Sequence, residues 1–132
     1  MKSKQVLSID QMKHLRELGL DTSDASMCVE WKESDESNKV VNSLDADTNY
    51  DYYYPTYTLQ DILDKLPRSL NPFPSKQVLF SWTIGGNIIS YRSLGGIDLC
   101  FKHFTNDLLI DAAYEMLCWC IENGYILKES EQ

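Results

Sequence analysis

The sequence predicts an α+β fold: an antiparallel three-stranded meander covered by a C-terminal amphipathic helix, with an N-terminal helix and a further hairpin beside it. Three observations carry this. Residues 105–124 read TNDLLIDAAYEMLCWCIENG. At about 100° per residue, Leu109, Ala112, Ala113, Met116 and Cys120 share one face. Asp107, Asp111, Glu115 and Glu122 share the opposite face, with Cys118 among them. Such a helix packs its apolar side on a core. The second observation is the alternation of residues 78–104, broken twice by glycine pairs. The third is the helix start LSIDQM at residues 7–12.

In chain order, residues 1–6 are expected to fray. Ser8 then caps a helix over 9–18, with Gln11 three residues on to complete a capping box and Leu7 and Met12 as the hydrophobic staple. Ile9, Met12, Leu15 and Leu18 form its buried stripe, and Gly19 its left-handed stop. Residues 26–32 (SMCVEWK) alternate as a strand, ESDESN turns, and 39–44 is a second strand candidate. Alternation alone leaves their pairing open. Residues 45–57 (DADTNYDYYYPTY) hold three aspartates and five tyrosines without clean periodicity, so a loop or extended edge segment is expected. Thr58 caps a second short helix, with Asp61 at its positive end and Tyr57 set to staple on Ile62. Pro67 ends it, and PRSLNPFPSK, with three prolines, reads as a connector.

The meander follows. Val78, Phe80, Trp82 and Ile84 share one strand face, and Gly85-Gly86-Asn87 suits a tight hairpin turn. Residues 88–93 return and Leu94-Gly95-Gly96 turns again. The last strand puts Ile97, Leu99 and Phe101 on one face, with His103 in line at the core margin. One apolar and one wetter face mark an antiparallel sheet covered on a single side. The whole of 1–132 reads as one domain, with 128–132 frayed.

Composition narrows the function. The chain has 132 residues, 43% of them hydrophobic, enough for a core. Twenty acidic against 12 basic residues give a net charge of -8, which disfavours nucleic-acid and membrane-surface partners. No apolar run approaches a membrane span, and the start MKSKQVLSIDQ lacks an apolar signal core. A cytoplasmic protein is expected, with Cys28, Cys100, Cys118 and Cys120 reduced. Cys118 and Cys120 lie about 200° apart on a helix, so they cannot share a metal. Cys120 reads as core and Cys118 as a surface thiol.

LSIDQMKHLRELGLDTSDASM, YTLQDILDKLP and AAYEMLCWCIENGYI together resemble a group of small uncharacterised proteins of gut Bacteroides-type bacteria and their prophages. The resemblance implies a bacterial or phage origin and an accessory role. It brings no catalytic residue, metal or cofactor with it.

The residues themselves offer three candidates. Asp45-x-Asp47-x-Asn49-x-Asp51 opens like a calcium loop, but Tyr50 replaces the turn glycine and Thr56 the closing glutamate, so a solvated acidic loop is expected. The histidines are His14 and His103. His103 with Asp98 or a helix carboxylate is the alternative, enzymatic reading, and no GxSxG, HExxH or phosphate loop supports it. The favoured candidate is a protein-binding surface of Tyr50, Tyr52, Tyr53 and Tyr54 with Asp47 and Asp51. Tyrosines supply rigid amphipathic contact area. The acidic field suits a basic partner surface, as in an inhibitor that imitates an acidic ligand, a version that rests on analogy.

Overall fold

In the computed structural model, residues 4–30, 40–42, 53–73, 78–93 and 99–126 are described. The elements run α1 (Ile9–Glu17), β1 (Met27–Glu30), β2 (Val40–Asn42), β3 (Tyr53–Thr56), α2 (Leu59–Lys65), β4 (Ser69–Phe73), β5 (Val78–Gly85), β6 (Ile88–Ser93), β7 (Cys100–Thr105) and α3 (Leu109–Glu122). Two antiparallel sheets result, ordered β2-β1-β3 and β4-β5-β6-β7. The fold is α+β, with the expected meander forming β5, β6 and β7.

Local chemistry sets the helix ends. The Ser8 hydroxyl accepts from Gln11 N and the Gln11 side chain accepts from Ser8 N, closing the expected capping box. Thr58 and Asp61 repeat the motif at α2. Gly19, at φ 100°, ends α1: its N–H reaches Arg16 O while Leu20 N reaches Leu15 O. Gly124, at φ 79°, ends α3 the same way, with Gly124 N on Ile121 O and Tyr125 N on Cys120 O. The start of α3 is later than expected. Thr105 still belongs to β7, and Asn106 makes the corner by accepting from Leu108 N and donating its own N–H to Asn87 O.

The N-terminal arm departs from expectation too. Residues 4–6 are held, not frayed. Lys4 Nζ donates to Gln11 Oε1 and to Asp111 Oδ1, both at 2.7 Å, and Gln11 Nε2 donates to the same Asp111 oxygen. Val6 bridges Thr58, Leu7 N donates to Tyr57 O, and the Thr56 hydroxyl donates to Leu7 O. Residues 128–132 lie outside the described residues.

β1 pairs with β2, so the open hairpin pairing is real, and β3 adds to the other side of β1. Pro55 fits within β3 because an edge strand can spare an N–H. The proline-rich connector also contains a strand. Ser69–Phe73 forms β4 at the edge of the larger sheet, and its register slips between Leu70 and Phe73, around Pro72. Proline argues against a central strand and not against an edge.

α3 packs on β6 and β7 with one side and on α2 with another. Its buried residues are Ile110, Ala112, Ala113, Met116, Leu117, Cys118, Cys120 and Ile121. They cover about two thirds of the circumference, leaving a strip of Asp111, Glu115 and Glu122. Two expectations fail here. Cys118 is buried, and Glu115 is half-buried instead of exposed. The amphipathic reading supposes one covered side, whereas α1 and α2 cover a second. The contact of the His14 and Tyr114 rings, 6.4 Å apart, marks α1 on that flank.

All four cysteines are free thiols, and Cys100 alone is exposed. Burial pushes the Cys118 thiol up to about 11 and the Cys120 thiol up to about 12. An alkylating reagent should therefore label Cys100 quickly in the folded protein and all four thiols once it is denatured. Intact-mass analysis checks this; early labelling of a second cysteine would place another thiol at the surface.

Candidate functional site

The tyrosine segment divides. Tyr50, Tyr52, Asp47 and Asp51 lie outside the described residues, as does the whole calcium-like string. Tyr53 opens β3. Tyr54 is half-buried, packed on the core, and its hydroxyl accepts from Arg16 Nη1 at 3.4 Å on the surface. Tyr57 is fully buried. Its hydroxyl donates towards Asp24 Oδ1 at 3.0 Å, with Asp21 O at 3.2 Å. Burial first, then the Asp24 charge and hydrogen bond, hold that phenol far above its ordinary value, so it remains a donor.

Around the Tyr57 hydroxyl stands an acidic rim that the sequence pattern does not announce. Asp24 pairs with Lys65. Asp61 Oδ2 accepts from Ser26 Oγ at 2.6 Å, from Ser26 N at 3.3 Å and from Thr58 N at 3.0 Å, tying α2 to the start of β1. Asp21 accepts from Ser23 N, and Ser23 holds its carboxyl below the ordinary value. These carboxylates come from the α1–β1 connection and α2, more than 30 residues apart in sequence, so no local spacing reveals them. The arrangement gathers these carboxylates at the Tyr57 hydroxyl, where Asp24 also meets Lys65 and Asp61 also accepts from Ser26 and Thr58. It can accept hydrogen bonds from a cationic surface.

His103 is not at the core margin. Tyr91 pairs with Lys102 and Arg92 with Cys100, which leaves Phe101 as an extra residue in β7. This bulge shifts the alternation by one, so Lys102 and Phe104 follow the inward phase and His103 turns to the exposed outer face. There its Nδ1 lies 3.9 Å from Cys100 Sγ. The proposed orienter Asp98 lies outside the described residues. His14 is exposed beside Glu17, 3.8 Å away. Among the described residues, no group of three or more His, Cys, Asp or Glu side chains could hold a metal ion, and no helix is long and apolar enough to cross a membrane.

Asp111 fixes the N-terminal arm onto α3. Burial raises its carboxyl, but the Gln11 and Lys4 hydrogen bonds and the Lys4 charge outweigh that and lower it overall. A carboxyl lowered by folding adds stability that is present above its unfolded value and lost as pH falls through its folded value. Asp111→Asn should thus be less stable than the wild type near neutrality, with the gap closing below the ordinary carboxylate range. Thermal melts across acid pH measure it. A gap that stays constant would show that Asp111 acts by packing alone.

Comparison with known proteins finds no matching family model, no matching curated protein and no matching solved structure.

Proposed function

We propose that this chain is an accessory protein of phage or mobile-element origin that acts in the cytoplasm by binding another protein. Tyr50, Tyr52, Tyr53 and Tyr54 with Asp47 and Asp51 form the contact surface, and the partner presents a basic surface. One mode is inhibition, with the acidic side standing in for an acidic ligand of the partner. The observation that carries the reading is the Tyr54 hydroxyl, which meets Arg16 at the surface of edge strand β3, three residues before the Tyr57 whose hydroxyl meets Asp24. Aromatic area supplies affinity there, and the charge supplies fast, salt-sensitive association.

Tyr52→Ala, Tyr53→Ala and Tyr54→Ala combined should abolish capture of the partner in a pull-down while the protein still melts cooperatively. Because Tyr54 is half-buried, Tyr52→Ala and Tyr53→Ala with Tyr54→Phe is the companion variant. Raised salt should slow association, since exposed charges are screened beyond about 8–10 Å. Undiminished capture by folded variants would move the interface elsewhere.

A further inference from the structure

Cys100 and His103 are three residues apart in β7, a spacing that points two side chains to opposite faces of a regular strand. The bulge at Phe101 cancels that opposition. Cys100 pairs with Arg92 and His103 with Ser90, and Arg92 and Ser90 are two residues apart on β6. All four therefore share the outer face of the larger sheet, the side away from α3. Bulges recur where a strand re-aims a side chain. Here the result is a thiol beside an imidazole: Cys100 Sγ and His103 Nδ1 stand 3.9 Å apart, and both residues are exposed. The charged group on the facing strand is Arg92, whose Nε is engaged on Ser90 Oγ at 3.2 Å. Beyond it, β5 puts Ser81 and Thr83 on the same rows, and neither titrates near neutrality.

The other three thiols are buried, Cys28 in β1 and Cys118 and Cys120 in α3. None is placed to close an intramolecular disulfide with Cys100, so a bond formed there joins the protein to a molecule from outside. We propose that Cys100 is a thiol–disulfide exchange site for low-molecular-weight disulfides, with His103 as its base. In the Nε2–H tautomer, His103 Nδ1 takes the Cys100 proton. The thiolate attacks one sulfur of the disulfide, and the new Sγ–S bond forms as the S–S bond of the small molecule breaks. The departing thiolate takes the proton back from the imidazolium. The protein thiol is oxidised and the small disulfide is reduced, so no further oxidant enters. The mixed disulfide stays on Cys100 until a second small thiol reverses the exchange.

The test uses the full chain and hydroxyethyl disulfide, an uncharged probe, read by intact mass and peptide mapping. Cys100 should gain a single mercaptoethanol unit before any other cysteine reacts. His103→Gln should slow that step about threefold at about pH 7, the net of less thiolate against a more nucleophilic one. At about pH 10 it should match the wild type, because an exposed thiol ionises there unaided. Loss of a base predicts that convergence, and a change of shape does not. A thermal melt shows whether the variant is folded. If it is not, the wild type is compared at about pH 7 with N-acetylcysteine amide, which Cys100 should outpace. Equal rates of the two folded proteins near neutrality, a deficit that persists in alkali, or a wild type slower than the amide overturns the proposal. A covalent dimer as the main product overturns it as well, and assigns Cys100 to a bond between two copies of the chain.

Discussion

Met116→Ala should lower the unfolding free energy by about 2–5 kcal/mol, the cost of emptying a fully enclosed Met site. Met116 has no exposed surface and sits in a buried cluster that joins α1, α2, the larger sheet and α3, with Tyr54 of β3 packed against it. It lies on the helix side that meets β6 and β7, with Ala112 and Ala113 flanking it at zero exposure. Those alanines let α3 approach closely and leave little room for neighbours to collapse into the void. Glu115→Ala, next in sequence and half-buried, loses a few methylenes and a carboxylate at the strip. Its cost should stay within about 0.5 kcal/mol, as at surface positions without special partners. Chemical denaturation of the two variants separates the faces. Equal losses would mean that the orientation of α3 is wrong.

α3 also shows where the sequence stops being legible. Its buried side towards the sheet follows from a 3.6-residue period, so Met116 and Cys120 are found without a structure. The second buried side depends on α2 and the Lys4–Gln11–Asp111 network, whose partners lie about a hundred residues away. Periodicity contains no such information, and Cys118 is misplaced as a result. Caps behave differently. The boxes at Ser8 and Thr58 are local, made by residues three apart, and both are visible in sequence.

The strands divide along the same line. β5 and β6 pair in one unbroken register and are found within a residue of their ends. β4 is hidden by Pro72, because an edge position is a property of the assembled sheet. β7 is found, but its facing is inverted beyond Phe101, since a bulge is set by pairing with Tyr91 and Arg92 and has no signature within CFKHFT. One shifted residue turns His103 from a candidate base near the core into a surface side chain. The candidate site has the same limit. Tyrosine density is plain in the sequence, whereas the Asp21, Asp24 and Asp61 rim appears only once α2 packs beside the α1–β1 connection.

Tyr57 decides how much of that tyrosine group is structural. Tyr57→Ala should cost about 3–5 kcal/mol, the range for removing a buried aromatic ring, out of the roughly 5–15 kcal/mol that holds a domain folded. Its ring is fully enclosed, and its backbone carbonyl accepts from Leu7 N, so the N-terminal arm is seated against it. Tyr57→Phe keeps the ring and removes one donor. Asp24 retains Lys65, and the Asp21 carbonyl lies near the surface, so neither acceptor is stranded in the interior. The Phe variant should then lose only about 0.5–1.5 kcal/mol, the net worth of one hydrogen bond. Both numbers come from urea unfolding, and both variants bear on the binding surface. If Tyr57→Phe binds the partner as well as the wild type, recognition belongs to the tyrosines preceding Thr56, and Tyr57 serves to hold β3 and α2 in place beneath them. If it folds normally but loses the partner, the phenol orients Asp24 for recognition, and the acidic rim itself is the contact.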